Sequence, residues 1–133
     1  MTLVARCACG ASSVALSGSP KFNCVCHCTN CKRRTGSAFG VSNYFRTADL
    51  GETSGELAVY SFRHPEDNYD EKRYFCRQCG STLYWLSSNR PQFVGVAGGC
   101  LPEESQPSPS ASYSTSKKLP WVTLPDQCKA LER

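Results

Sequence analysis

Cys76-Arg77-Gln78-Cys79-Gly80 is the stretch whose reading decides the fold. A Cys-x-x-Cys turn lets both thiolates converge on one ion, and the glycine relieves the backbone where it turns back. Such a zinc knuckle supplies only half of a tetrahedral site, so a second pair must come from elsewhere in the chain. Cys7-Ala8-Cys9-Gly10 is the natural partner, because residues i and i+2 of an extended segment face the same side. Zinc on Cys7, Cys9, Cys76 and Cys79 would be closed and structural, stapling the N-terminus to the middle of a small domain. A redox role for the Cys-x-x-Cys is the poorer reading, since no βαβ pattern surrounds it.

The rest of the composition sets bounds. The chain has 133 residues, 40% hydrophobic and 20% charged. That suits one globular domain over 1–133 and leaves little for two independent cores. The net charge of +4 comes without a long basic run, which argues against nucleic acid and permits an anionic small substrate. No stretch approaches the ~20 apolar residues of a membrane span. The first residues, MTLVARCACG, lack the basic and apolar regions of a secretory signal, so the expected location is cytoplasmic. There are ten cysteines, and eight stand in close groups. Grouping favours metal over a scattered disulfide framework.

Asn23 to Cys31 reads NCVCHCTNC. On one tetrahedral zinc, sulfurs lie about 3.8 Å apart. Along an extended run, Cα atoms at i and i+2 are about 6.6 Å apart and their side chains can lean together; at i and i+4 the gap is about 13 Å. Cys26, Cys28 and Cys31 can therefore share an ion, whereas Cys24 and Cys28 cannot without a sharp bend. Three thiolates and an open fourth position form the arrangement of a catalytic zinc. Cys24 then reads as a buried thiol outside the site; if it did ligate, the site would be closed. His27 points away from Cys26 and Cys28 on an extended segment, which suits an indirect or surface role. Lys32, Arg33 and Arg34 follow directly. They form either a solvated basic turn or a cradle for an anionic substrate, with Lys32 and Arg33 as the candidates. Phe39, Tyr44 and Phe45 are candidate pocket walls, with a core role the default.

Elsewhere the chain reads as mostly β. Strands are expected at 12–16, 39–46, 57–62, 72–75, 81–86 and 92–97, with a helical turn after Cys31 and another at 47–50. The segment 102–118, PEESQPSPSASYSTSKK, has almost no apolar side chains and reads as a surface loop or mobile linker. Residues 119–124, LPWVTL, read as a docked tail anchored by Trp121. Cys100 and Cys128 have no assigned role beyond buried or free thiols.

Taken together, Cys7-x-Cys9-Gly10, Cys26-His27-Cys28-x-x-Cys31-Lys32-Arg33-x-x-Gly36 and Phe75-Cys76-x-x-Cys79-Gly80 resemble the glutathione-dependent formaldehyde-activating enzyme family, whose domain also occurs in centromere protein V. The likeness spans about residues 3–101, and Trp121 fits the family's tail. It implies an all-β, Mss4-like fold, an antiparallel β-tent stapled by zinc. It implies two zinc ions, a structural one on Cys7, Cys9, Cys76 and Cys79 and a catalytic one on Cys26, Cys28 and Cys31. It also implies a carbon–sulfur lyase activity that forms S-(hydroxymethyl)glutathione from glutathione and formaldehyde. Cys24 and the long Ser/Pro-rich segment depart from the family pattern. The motifs do not name the residues that contact glutathione.

The mechanism expected from these residues has a substrate thiol taking the open metal position, where its thiolate is stabilised. Lys32 and Arg33 would hold its carboxylates. The rival is a non-catalytic, zinc-stabilised protein-binding module of the same fold, which a closed second site would favour. A zinc store is a third reading, and two separate, unbridged sites argue against it.

Overall fold

The computed structural model describes residues 1–132. Its strands form two sheets. The smaller has the order β1-β2-β5, from Thr2–Arg6 (β1), Ser13–Ser17 (β2) and Leu50–Ser54 (β5). The larger runs β11-β10-β3-β4-β9-β8-β7-β6. Its strands are Phe22–Cys26 (β3), Gly40–Arg46 (β4), Leu57–Arg63 (β6), Asp70–Cys76 (β7), Thr82–Ser87 (β8), Phe93–Ala97 (β9), Ala111–Tyr113 (β10) and Lys129–Leu131 (β11).

Alternation of side chains along each strand splits the larger sheet into two unlike faces. One face carries Phe45, Val94 and Val96, which pack on Leu3, Ala5, Val14 and Leu16 of the smaller sheet. Phe45, Leu16, Val94 and Val96 are fully buried. Each such side chain contributes about 1.5–3 kcal/mol relative to exposure. A register shift where β7 meets β8, between Tyr74 and Phe75, leaves Leu83 as an extra residue, and Leu83 joins this core.

The opposite face mixes aromatic with polar side chains. One rung crosses six strands on that side: Phe22, Tyr44, Gly95, Trp85, Arg73 and Tyr60 are successive register partners. Helix α1, Thr29–Thr35, follows β3. It is capped by the Cys28 sulfur, which accepts from the Cys31 N–H. It ends at Gly36, whose φ of 67° is the left-handed stop that glycine adopts without strain.

The all-β expectation holds, and the central strands pair antiparallel. The edge differs. β10 pairs parallel with both β3 and β11, making the larger sheet mixed. The expected strands all appear within a few residues, as does a 3-10 turn at Thr47–Asp49. Five strands were not anticipated: β1, β3, β5, β10 and β11.

Two expectations for the C-terminal region need correcting. The segment 102–118, read as a surface loop or mobile linker, does lie at the surface, but it contains β10 and is hydrogen-bonded to β3 and its neighbours. Asn23 Nδ2 donates to the carbonyls of Ser108 at 2.5 Å and Pro107 at 3.3 Å. Ser110 Oγ donates to the Asn23 carbonyl at 2.9 Å. Ser112, fully buried, meets His27 Nε2 at 3.0 Å. These serines satisfy backbone and side-chain groups, so the segment docks largely through hydrogen bonds. The tail's anchor is Val122, 6% exposed, whereas Trp121 is 72% exposed.

Candidate metal centres and the adjoining cavity

Cys7 ends the approach from β1, Cys76 closes β7, and the turns after each bring in Cys9 and Cys79. The four sulfurs lie within 4.8 Å of one another. Cys7 and Cys9 are 3.6 Å apart, Cys9 and Cys76 3.9 Å. Backbone amides point at this group: Ser12 N–H donates to Cys7 Sγ at 3.2 Å and Gln78 N–H to Cys76 Sγ at 3.3 Å. Ser81 had no sequence signal of its own. Its hydroxyl accepts from the Ala8 N–H at 3.0 Å and lies 3.3 Å from Cys79 Sγ. That hydroxyl, with the Ser81 backbone, lowers the Cys79 thiol to about 5. Cys9 is favoured as thiolate by a backbone bond at Ala11. Burial and the neighbouring sulfurs of Cys7, Cys79 and Cys76 outweigh this and raise it to about 11. Acidic and resistant thiols packed together repel one another as anions, a conflict that a bound cation removes. Four thiolate donors at this spacing fit zinc.

The second group is Cys26, Cys28 and Cys31, again with sulfurs within 4.8 Å of one another. Cys26 comes from the end of β3, Cys28 caps α1 and Cys31 lies on its first turn. Crowding by Cys26 and Cys28, then burial, pushes the Cys31 thiol far up. The same conflict exists here, and three sulfurs again suit zinc. Cys24 stands outside the group. It shares a face of β3 with Cys26, one step along the strand, and both line a cavity.

That cavity lies over the mixed face of the larger sheet and measures about 60 Å³. Its walls include Cys26 and Cys31 from the sulfur group, Tyr44 and Trp85 from the rung, and Tyr113 from β10. Burial, followed by the nearby Cys24, raises the Tyr44 phenol to about 12. Trp85 lies flat against Gly95: a Cβ there would come within 2.1 Å of the indole nitrogen. The guanidinium of Arg34 stacks on Trp85 at 4.6 Å. Arg73 donates to Glu71 at 3.2 Å and to Asn30 at 3.3 Å, and Ser87 donates to the other Glu71 oxygen at 3.2 Å. Arg90 sits 5.0 Å over Tyr44 and 5.4 Å over Tyr113.

Lys32 and Arg33 stand away from this cavity. Lys32 Nζ donates to the Lys117 carbonyl at 2.7 Å, and Arg33 is exposed. Arg34, Arg73 and Arg90 line it instead. His27 is buried outside the sulfur group, between Ser112 and Phe39. Burial, then the charges of Lys118 and Lys32, lowers its pKa, so the ring is neutral. Of the three aromatics, Tyr44 lines the cavity, Phe45 is core, and Phe39 packs edge-on to His27. Cys100 Sγ donates to the Thr82 carbonyl at 3.5 Å beside the core.

A β-sheet protein with one four-sulfur and one three-sulfur group, the latter opening on a polar cavity, belongs to the class of cysteine-rich candidate metalloproteins. Sequence comparison narrows this. Residues 2–117 match the family of glutathione-dependent formaldehyde-activating enzymes, and the chain belongs to that family. A Schizosaccharomyces pombe protein named as an uncharacterized lyase is 31% identical over 96 residues, 68% of this chain. The match spans 64% of that relative's length. A crystal structure of a Rhodobacter sphaeroides protein superposes with a TM-score of 0.57 at 27% identity, over 77% of this chain and 89% of the other. The family match takes in β10, so the docked Ser/Pro-rich segment lies within the matched region.

Proposed function

We propose that the protein is a zinc-dependent carbon–sulfur lyase acting on a thiol adduct, as in S-(hydroxymethyl)glutathione formation. The observation that carries this reading is the convergence of Cys26, Cys28 and Cys31 at the wall of a polar cavity, with Cys24 outside the group. Cys7, Cys9, Cys76 and Cys79 would hold a structural zinc, and Cys26, Cys28 and Cys31 a catalytic one. Bound by three thiolates, zinc supplies a Lewis acid that favours the thiolate form of an incoming thiol.

The chain's own residues do the rest. In the forward direction a thiol adds across an aldehyde C=O: sulfur forms the new C–S bond and the thiol proton ends on the former carbonyl oxygen. The reverse is the lyase reaction. Tyr44 stays protonated well above neutrality. Its hydroxyl would donate a hydrogen bond to the oxygen on which charge develops. Trp85, Tyr44 and Tyr113, which line the cavity, would shield the reacting sulfur from water and so strengthen each polar contact inside.

The test is an assay of C–S bond formation and cleavage with zinc-loaded wild type and Cys28→Ser, alongside metal analysis. Cys28→Ser is expected to lose one of two zinc ions and nearly all turnover. Equal turnover in both proteins would sink the reading, and a wild type inert towards every thiol and aldehyde pair would favour the binding-module alternative.

A further inference from the structure

We infer that the cavity selects a small mercapto acid, a thiol whose own carboxylate is taken by Arg34, in preference to a tripeptide thiol. This rests on the reading that the cavity is the thiol site.

Three observations carry it. The first is an unused donor. Arg34 Nη2 is buried and has no hydrogen-bond partner among the described residues. A donor buried without a partner is costly until an acceptor arrives. The nearby Glu71 carboxylate is hydrogen-bonded by Arg73 and Ser87. Arg73 Nε is likewise buried without a partner. A carboxylate, with two oxygens in one plane, is the acceptor that matches a guanidinium fork.

The second is distance from the sulfur group. A Cβ built on Gly40 would stand 2.6 Å from Arg34 Nη2 and 3.6 Å from Cys31 Sγ. At most the sum of those distances separates the idle donor from a sulfur of the group. A thiol whose sulfur sits beside Cys31 and whose carboxylate reaches Arg34 therefore needs only a short carbon chain between them. In a tripeptide thiol the terminal carboxylates lie further from the sulfur.

The third is room. A cavity of about 60 Å³ holds roughly five water-sized groups. A mercapto acid of three carbons is of that order, whereas a tripeptide is several times larger. Tyr113, brought in by the docked Ser/Pro-rich segment, forms part of the wall.

Calorimetric titration of the zinc-loaded protein with 3-mercaptopropionate, its methyl ester and glutathione tests the inference without an activity readout. The acid is expected to bind at least about tenfold more tightly than the ester, as a charge-assisted forked pair warrants, and more tightly than glutathione. Arg34→Met should bring the acid to the level of the ester, with circular dichroism reporting that the variant is folded. If that variant does not fold, the ratio of acid to ester on wild type decides alone. Acid and ester binding equally, or glutathione binding more tightly than the acid, overturns the inference and leaves the thiol site standing. Failure of all three thiols to bind overturns the thiol site as well.

Discussion

Gly95→Ala tests the mixed face of the sheet with the smallest possible change. Gly95 sits mid-rung between Tyr44 and Trp85. Its backbone is not among those with positive φ, so alanine is conformationally allowed. On backbone entropy alone alanine would stabilise the protein by about 0.4–1 kcal/mol. The side chain has no space, however. The new Cβ would meet Trp85 at 2.1 Å, 2.4 Å and 2.9 Å, all atoms of one rigid indole. Trp85 is buried and carries Arg34, so the ring must move and the stack on Arg34 goes with it. Overpacking of this kind costs about 1–3 kcal/mol, and a cation–π contact adds about 0.5–1 kcal/mol. The net expectation is a loss of roughly 1–3 kcal/mol after the backbone gain. Urea unfolding of the zinc-loaded protein, followed by far-UV circular dichroism, reads it as a lower midpoint at unchanged slope. Gly99→Ala is the control, because nothing lies within 4 Å of its Cβ position. Trp85→Phe in the Gly95→Ala background should recover part of the loss if the clash is the cause. A Gly95→Ala midpoint equal to or above wild type would refute the packing argument.

Asn23→Ala removes the donor and acceptor that hold the carbonyls of Pro107 and Ser108 and the Ser110 hydroxyl; it should cost about 1–3 kcal/mol and make 102–110 the first site of limited proteolysis. Ser81→Ala removes the hydroxyl that holds the Cys79 thiol near 5. A depressed folded-state pKa means that Cys79 of metal-free protein stays a thiolate between about 5 and the ordinary 9.0, so its alkylation should persist as pH falls through that window; the variant should lose the reaction at higher pH, and an unchanged profile would contradict the assignment. Val122→Ala should destabilise by about 2 kcal/mol and Trp121→Ala by no more than about 0.5 kcal/mol, both read by urea unfolding.

The cysteine groups were legible in the sequence because metal geometry constrains spacing directly. Short-range arithmetic on Cα separations is enough to group Cys26, Cys28 and Cys31 and to leave Cys24 aside. The docked segment was illegible for the opposite reason. Ser110 and Ser112 dock by hydrogen bonds to partners 85 or more positions away in sequence, and a polar composition carries no sign of where such partners lie. The arginines fall between these cases. A helix counted only after Cys31 gives no reason to choose among Lys32, Arg33 and Arg34. Once α1 is known to begin at Thr29, Cys31 and Arg34 are i and i+3 and share a face, while Lys32 and Arg33 rotate away from it. Asn23 to Cys31 with its capping Cys28 was the signal that would have found Arg34.

The two sulfur groups are unequal in where they sit as well as in number. Cys7 and Cys76 belong to the apolar core, one following the smaller sheet and one ending β7 of the larger. An ion there would tie the two sheets together at their common core, so its energy would be folding energy. Cys26, Cys28 and Cys31 join β3 only to the short helix that follows it, a local link that closes no long loop. Little of the fold depends on such a link, and an ion there would have small structural worth. What this group does command is the cavity wall, with Arg34 brought to the same helix face and Trp85 held beneath by Gly95. Buried thiols and an arginine with one buried, idle donor are costly to keep together in a protein of this size. That cost falls where the fold needs it least, which is the position expected of groups kept for a reaction.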